Sequence, residues 1–351
     1  MTHSFPILSF EGRQTPFYYY DIALLKETLD AIQAQLKDQP TWQVHYAVKA
    51  NHNPELLQQI AAAGFGADCV SGGEVQAALD AGFRAKDIVF AGVGKADWEI
   101  LLGLEAGIGR FNVESAAELR VIDALAESKG VVAPVSLRVN PDIGAHTLAG
   151  ITTGLAENKF GIYHGMVDDV AREALSLPHI RFCGLHFHIG SQILDMHDFA
   201  ALCGRINELT ERLESEGIPV GDINVGGGLG IEYGHPNSLP KADFASYFNT
   251  YKRGLLGDRP VHFELGRAIC HYCYLAGSGL PAWTPDYDTS AVKPLVAAVA
   301  EIVKNSEGMV LFGDNAMSAD PANTYLDYIA QIFAGDIDAE GFAKGLAADL
   351  Q

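Results

Sequence analysis

Short apolar runs alternate with longer amphipathic segments along most of the chain, from about residue 23 to residue 267. Eight of these runs have the length of strands. They are residues 44–48, 67–70, 88–91, 110–113, 135–139, 184–188, 223–225 and 261–264. Strands separated by helical segments form βαβ units with parallel strands, and eight such units can close on themselves. The pattern therefore predicts an α/β fold of the (β/α)8 TIM-barrel type.

The segments between these strands carry apolar residues at helical spacing. They predict helices at residues 21–36, 54–63, 74–81, 97–106, 116–129, 166–177, 198–216 and 243–256. A doubly wound open sheet is the main alternative, but it would normally have fewer strands and one dominant glycine-rich turn after the first of them. The barrel is therefore the favoured fold.

Charge and hydropathy exclude several classes of partner. The 351 residues carry a formal net charge of −20 at pH 7, so a nucleic acid or an anionic membrane surface would repel the protein. No window approaches the roughly 20 apolar residues of a membrane-spanning helix, and the amino-terminal residues lack the pattern of a signal peptide. We expect a cytoplasmic protein that binds neither nucleic acid nor membrane.

The cysteines point to a reducing compartment, because the five residues form an odd and scattered set. Cys270 and Cys273 are spaced like half of a zinc site. No second pair of Cys or His residues follows at a suitable distance, so the sequence predicts no metal.

Lys49 directly follows the first predicted strand and precedes a polar segment. Function in a barrel collects at the carboxyl ends of the strands, so this amine would lie at the mouth of the barrel. Partial desolvation there would lower the pKa of the lysine and free its amine to attack an aldehyde. A solvated strand terminus is the ordinary alternative for a lysine in this position.

Glycine-rich turns follow the last two predicted strands. Residues 226–230 read Gly-Gly-Gly-Leu-Gly, and such a run lets backbone N–H groups approach a phosphate without obstruction by side chains. The step from Gly266 to Arg267 would complete this anion site from the next loop. A plain tight turn is the alternative, but barrels commonly bind phosphate in these two loops.

Two further strand-end residues suit a pyridine ring. Glu264 could face the pyridine nitrogen and keep it protonated, which makes the ring an electron sink. His188 could stack on the ring, although a hydrogen-bonded core histidine is its ordinary interpretation. Together with Lys49 and the glycine loops, these residues predict a pyridoxal phosphate site. A nicotinamide site is disfavoured because no Gly-x-Gly-x-x-Gly run follows the first strand.

Longer motifs extend this interpretation to about three quarters of the chain. They are residues 15–21, 45–51, 66–74, 89–95, 111–115, 153–161, 186–192, 225–230 and 263–267. On these motifs the chain, from about residue 5 to residue 269, resembles the diaminopimelate decarboxylases, pyridoxal phosphate enzymes with an alanine-racemase-type barrel. The resemblance implies that Lys49 binds the cofactor as a Schiff base, that His188 stacks on its ring and that Glu264 pairs with its pyridine nitrogen.

The same resemblance implies roles for the loop residues. Gly228, Gly266 and Arg267 would hold the phosphate, and Arg267 would also reach a carboxylate of the substrate. The other cofactor-binding residues implied by the family are Asp68, Ser191, Gly227 and Gly230.

The implied reaction is the decarboxylation of meso-2,6-diaminopimelate to L-lysine and carbon dioxide through an external aldimine, the last step of lysine biosynthesis. The family also implies a homodimer. Two alternatives stay open: a barrel that binds pyridoxal phosphate without turnover, and a related decarboxylase that acts on ornithine or a carboxylated polyamine.

The chain departs from the family pattern after residue 269, where the β-rich second domain of the family is expected. Residues 271–351 contain no arginine, so they lack a second guanidinium for a distal carboxylate. They predict helices at 292–304, 321–333 and 338–350, and weakly resemble the carboxyl-terminal end of a periplasmic sugar-binding protein. We therefore expect three segments: residues 1–22, which would pair with the β-domain in the family, the barrel at 23–269, and an atypical, mainly helical tail at 270–351 that impairs activity.

Overall fold

The structure, a computed structural model, describes residues 17–141, 160–231, 242–270 and 273–276. Strands and helices alternate through these residues. In chain order they are β1 (Phe17–Tyr20), α1 (Ile22–Leu36), β2 (Trp42–Ala47), α2 (Pro54–Ala62), β3 (Gly66–Cys69), α3 (Gly72–Asp80), β4 (Ile88–Phe90), α4 (Asp97–Ala106), β5 (Arg110–Val113), α5 (Ala116–Lys129), β6 (Ala133–Asn140), β7 (Ile162–Tyr163), α6 (Val167–Ser176), β8 (Ile180–His186), α7 (Met196–Ser215), β9 (Asp222–Asn224), α8 (Phe244–Gly254), β10 (Val261–Leu265), α9 (Arg267–Cys270) and β11 (Cys273–Ala276).

Eight parallel strands close into a barrel in the order β2-β3-β4-β5-β6-β8-β9-β10, with β10 returning to β2. The closing pair aligns Val261 with Trp42 and Glu264 with His45. The short strand β7 extends the sheet beside the end of β6. This closed, parallel sheet confirms the predicted (β/α)8 barrel.

All eight predicted strands and all eight predicted helices are present, with small differences at their ends. The largest difference is at the sixth barrel strand, β8, which was predicted at residues 184–188 and spans Ile180–His186. It begins earlier because Ile180 pairs with Ala133 of β6, although the exposed Arg181 interrupts the apolar run. Pairing with a neighbouring strand therefore outweighs the local pattern at this position.

Side-chain caps start several barrel helices directly after the strands. The Ser71 hydroxyl accepts a hydrogen bond from the Glu74 N–H at 3.3 Å, and the Ser115 hydroxyl accepts one from the Glu118 N–H at 3.2 Å. Each cap satisfies a backbone donor that the first turn of a helix leaves without a partner. The helices therefore begin at the same edge of the barrel as the strand ends, which keeps the mouth narrow and defined.

The apolar core lies between the strands and the helices. Phe263 of β10 packs against Trp42 and Phe248, with 5.0 Å between ring centroids in each pair. Because successive side chains on a strand point to opposite faces, His262 and Glu264 face the barrel interior. That interior is polar: His45 Nε2 lies 2.9 Å from His262 Nδ1.

Burial keeps this interior histidine pair uncharged. It lowers the pKa of His45 to about 4 and the pKa of His262 to about 2. Both rings are therefore neutral at pH 7, and their mutual hydrogen bond satisfies buried nitrogen atoms without burying a charge. An ion pair accompanies them: Arg110 Nη1 lies 2.6 Å from Asp222 Oδ1.

A second compact unit comprises residues 1–20, 233–239 and 273–351. Its described part is an antiparallel pair of strands, β1 and β11, that aligns Tyr20 with Cys273. The prediction of a mainly helical tail did not include β11. Residues 1–16 of the predicted amino-terminal segment, the three tail helices and the sugar-binding resemblance lie outside the described part. The division into three segments stays a prediction.

None of the described helices combines the length and the hydropathy that a membrane-crossing helix needs.

A buried ion pair ties the loop after β4 to α5. The Lys95 side chain is 1% exposed, and its Nζ lies 2.6 Å from Glu118 Oε1. The same ammonium donates to the carbonyl oxygens of Gly92 and Asn112, at 2.8 and 2.9 Å. Three acceptors saturate its three donors, which makes this lysine structural rather than reactive.

We predict that Glu118→Gln lowers the free energy of unfolding by roughly 3 kcal/mol, because the substitution leaves the buried Lys95 ammonium without a counter-charge. Urea titration followed by circular dichroism measures the change. Glu105→Gln is the matched control, since its partner Lys129 is exposed and such pairs contribute less than about 1 kcal/mol. Equal losses in the two variants would contradict the prediction.

Candidate active site

Lys49 lies just beyond the end of β2, in the one-turn 3-10 helix Val48–Ala50. Its Nζ is 2.8 Å from Glu264 Oε1 on the neighbouring strand β10. The two predicted site residues are therefore brought together by the pairing of the first and last barrel strands.

The Glu264 carboxylate also contacts His188, whose Nδ1 lies 3.3 Å from Glu264 Oε2. The same nitrogen is 3.2 Å from the Gly227 N–H, which donates to it. Burial lowers the pKa of His188, and the Glu264 carboxylate opposes this without reversing it. A pKa below the usual value of 6.5 leaves the ring neutral at pH 7, as a flat stacking ring requires.

The pKa of Lys49 differs from the sequence prediction. Burial lowers this pKa, as predicted, but the Glu264 and Asp68 carboxyl groups raise it by more, so the net shift is upward. The side chain lies among these groups at the barrel mouth and yet is half exposed, so solvent screens the attraction and only the direction of the shift is used. The prediction was wrong because it considered desolvation without the two acidic neighbours.

Two carboxyl groups at the mouth have opposite pKa shifts. Burial raises the pKa of Asp68 well above its usual value, and the negative charge of Glu264 adds to this. Burial acts in the same direction on Glu264, but the Lys49 ammonium and His188 outweigh it and hold the pKa of Glu264 well below the usual value. The pKa values of the two carboxyl groups are therefore shifted in opposite directions, an arrangement typical of sites that separate acid and base roles.

The glycine run after β9 is shaped by contacts within the protein. The Gly226 N–H donates to Asn224 Oδ1 at 2.8 Å, and the Gly230 N–H donates to the Ile193 carbonyl oxygen at 2.9 Å. The Gly227 N–H donates to His188. Among the described residues, Gly228 and Leu229 are then the members of the run whose N–H groups remain to donate to an anion. Gly227 and Gly230, predicted as cofactor-binding residues, have N–H groups that hold the loop itself.

Close packing explains why the glycines are required. A Cβ atom on Gly228 would lie 2.5 Å from the Gly190 carbonyl oxygen, and Gly228 has a φ of +107°. A Cβ atom on Gly227 would lie 2.7 Å from the Glu264 carbonyl oxygen. Any larger residue would displace the backbone of a neighbouring loop or strand, so both positions require glycine.

The loop after β10 completes this side of the mouth. A Cβ atom on Gly266 would lie 3.3 Å from the Cβ atoms of Ala47 and Ala50, which flank Lys49. Arg267 is the exposed first residue of α9. Ser191, also exposed, follows β8 in the loop beside the glycine run. The structure thus collects the predicted residues at the carboxyl ends of β2, β3, β8, β9 and β10.

Arg138 and Glu114 are site residues that the sequence did not identify. The Arg138 Nη1 lies 2.5 Å from Glu114 Oε1, and the Gly161 N–H donates to Glu114 Oε2 at 2.9 Å. The guanidinium charge lowers the pKa of Lys49 and of Asp68, although it is not the largest influence on either. The position of Arg138 near the carboxyl end of β6 was a sequence signal for a site residue. The pairing of Arg138 with Glu114, 24 residues earlier, had no such signal.

These residues fit pyridoxal phosphate. An amine for an aldehyde, a charged carboxylate for a ring nitrogen and a neutral imidazole for a ring face surround one mouth. The adjoining glycine loops carry no side chain that would fill the space for a phosphate.

The closed parallel barrel and the lysine paired with a carboxylate at its mouth define a pyridoxal-binding barrel protein. A family model described as "Pyridoxal-dependent decarboxylase, pyridoxal binding domain" matches residues 23–270, which confirms the predicted cofactor. The chain is 60% identical over 272 residues to a diaminopimelate decarboxylase of Bacteroides thetaiotaomicron, a match that covers 77% of this chain and 70% of the relative. The chain therefore belongs to the diaminopimelate decarboxylase family of pyridoxal-dependent decarboxylases.

More distant relatives agree. A diaminopimelate decarboxylase of Archaeoglobus fulgidus is 39% identical over 73% of this chain and 61% of its own length. The crystal structure of the Helicobacter pylori enzyme complexed with L-lysine has a TM-score of 0.72 and 35% identity, and covers 77% of this chain and 68% of that one. The chain thus spans less than two thirds of the Archaeoglobus relative and somewhat more than two thirds of the Bacteroides relative.

We predict that Glu264→Gln lowers the pKa of Lys49, because it removes the strongest attraction on the ammonium while burial remains. In protein stripped of pyridoxal phosphate, the Lys49 amine of the variant should therefore react with acetic anhydride at a lower pH than in the parent. Competitive labelling, read by mass spectrometry as a function of pH, measures this shift. The exposed Lys129 in the same sample serves as the internal reference; an unchanged Lys49 profile would disprove the assigned cause.

Proposed function

We propose that this chain decarboxylates meso-2,6-diaminopimelate to L-lysine and carbon dioxide with pyridoxal phosphate. The observation that carries the proposal is the 2.8 Å contact between Lys49 Nζ and Glu264 Oε1 beside the glycine loops, in a chain 60% identical to a protein of that name. The lysine product named with the related Helicobacter pylori structure supports the same substrate.

Binding of the cofactor requires Lys49 to lose a proton. Glu264 Oε1 lies 2.8 Å from the ammonium, but the pKa of this carboxyl group is well below its usual value. Because the Lys49 side chain is half exposed, the proton can pass to solvent while Glu264 stays charged. The freed amine is then the nucleophile of the site.

The other residues bind and orient. When bound, pyridoxal phosphate supplies the ring system that accepts the electron pair left by the departing carbon dioxide. Glu264 would face the ring nitrogen, His188 would stack on the ring, and Gly228 with Gly266 would hold the phosphate. Arg267, at the rim of the mouth, would bind a carboxylate of the substrate.

Related decarboxylases with other substrates are weaker candidates. The arginine decarboxylase of a Paramecium bursaria Chlorella virus shares the fold at 21% identity and a TM-score of 0.64. Likeness at that level supports the architecture alone. Ornithine and carboxylated polyamines therefore serve as comparison substrates.

A barrel that binds pyridoxal phosphate without turnover is the second candidate. It is favoured by the absence of arginine from residues 271–351, since a dicarboxylic substrate needs a cation for each carboxylate. Together with the decarboxylation, we propose a cytoplasmic location and the homodimer that the family implies.

We predict that reduction with borohydride fixes pyridoxal phosphate to Lys49. Mass spectrometry of the digested protein should find the pyridoxyl mass on the peptide that contains this residue. Lys49→Ala should abolish the adduct, whereas Lys95→Arg should leave it unchanged because Lys95 is buried and fully hydrogen-bonded. An adduct that persists in Lys49→Ala would refute the assignment.

We also predict release of carbon dioxide from meso-diaminopimelate by the purified chain with added pyridoxal phosphate. Lys49→Ala, which removes the nucleophile, should reduce the rate by roughly a thousandfold or more. Ornithine, tested in parallel, should release far less carbon dioxide. Cofactor binding without any release would favour the second candidate.

A further inference from the structure

The loop after β8 contains a backbone conformation that is unusual for its residue type. Gln192 has a φ of +60°, and it is the one residue other than glycine with a positive φ in the described ranges. The left-handed region is unfavourable for a residue with a Cβ atom, so such a conformation persists where other contacts compensate for it. The side chain of Gln192 makes those contacts.

The Gln192 amide binds both backbone groups of one residue in the next loop. Its Oε1 accepts a hydrogen bond from the Ile231 N–H at 3.2 Å, and its Nε2 donates to the Ile231 carbonyl oxygen. The side-chain amide thus makes the two hydrogen bonds that the backbone of a paired strand would otherwise make with Ile231. We call this pair of hydrogen bonds the Gln192 clasp.

Backbone hydrogen bonds continue the clasp toward the glycine run. The Ile193 N–H donates to the Gly228 carbonyl oxygen at 2.8 Å, and the Gly230 N–H donates to the Ile193 carbonyl oxygen at 2.9 Å. Together these bonds form one parallel bridge between Ile193 and Leu229. The Gly228 carbonyl oxygen is therefore fixed, and the N–H groups of Gly228 and Leu229 are left to face an anion.

Packing makes the arrangement sensitive to the position of residue 192. A Cβ atom on Gly230 would lie 3.0 Å from the Gln192 carbonyl carbon, and one on Gly228 would lie 2.5 Å from the Gly190 carbonyl oxygen. The backbones of the two loops are in direct contact. A shift of the loop after β8 would therefore be transmitted to the glycine run.

We propose that Gln192 is a positioning residue, whose clasp holds the glycine run in the shape that binds the phosphate of the cofactor. The inference rests on the proposed function for the identity of the anion. The strained backbone of Gln192 aims its side chain along the next loop, and the two bonds to Ile231 keep it there.

Two variants separate the clasp from the backbone strain. Gln192→Met keeps the size of the side chain but removes both hydrogen bonds, and Gln192→Gly removes them while relieving the positive φ. Gln33→Ala is the matched control. Gln33 lies on the remote helix α1, and its Nε2 also donates to a backbone carbonyl oxygen, that of Ala63 at 2.6 Å. Circular dichroism and gel filtration check that each variant is folded.

The first measurement is hydrogen exchange of the 226–231 segment in protein stripped of pyridoxal phosphate. Both Gln192 variants should exchange the Gly230 and Ile231 amides faster than the parent, and Gln33→Ala should not. This result does not depend on the proposed reaction. Unchanged exchange in both Gln192 variants would overturn the clasp.

The second measurement compares the dissociation constants of pyridoxal phosphate and of pyridoxal, which lacks the phosphate. The Gln192 variants should bind pyridoxal phosphate about tenfold more weakly and pyridoxal with unchanged affinity. Equal weakening of both ligands would indicate a general structural effect and overturn the proposal. If the parent itself binds neither ligand, the proposed function fails, and the exchange rates still decide whether the clasp holds the loop.

Discussion

The contact between Lys49 and Glu264 exists only because the barrel is closed. The two residues are 215 positions apart in the chain but follow the register of β2 and β10, the first and last strands of the barrel. Parallel pairing brings the carboxyl ends of both strands to one edge, so the ammonium and the carboxylate meet without help from a flexible loop. Any change that opens this strand pair would separate the Lys49 amine from the carboxylate that raises its pKa.

The closed barrel also has a polar interior. The apolar contacts between its strands and helices have to compensate for the free energy of burying those polar groups. His45 and His262 are neutral and satisfy one another, and Arg110 pairs with Asp222. The apolar contacts lie outside the strands, where Phe263 packs against Phe248 and Trp42. Stability therefore comes from the helix–strand layer, while the interior carries groups that set the electrostatics of the mouth.

Neighbouring loops complete the site through backbone contacts. The glycine run after β9 is placed by His188 and Asn224 through one hydrogen bond each and by Ile193 through two. Glycine is required here because the loop after β8 and the strand β10 approach the run too closely for a Cβ atom. The shape of this side of the mouth thus depends on three neighbouring segments together, which explains why the glycine run alone resembles an ordinary turn.

Much of the fold could be predicted from the chain, because strand and helix periodicity are local patterns. A lysine at a strand end and a glycine run are local patterns too, and they made Lys49, His188, Glu264 and the Gly266 turn candidates for a cofactor site. The direction of the Lys49 pKa, by contrast, depends on Asp68 and Glu264, which no local pattern associates with it. The pairing of Arg138 with Glu114 and the Gln192 clasp are likewise contacts across loops. They were decided by the tertiary structure alone, since electrostatic and hydrogen-bond energies depend on distances between residues that the sequence does not contain.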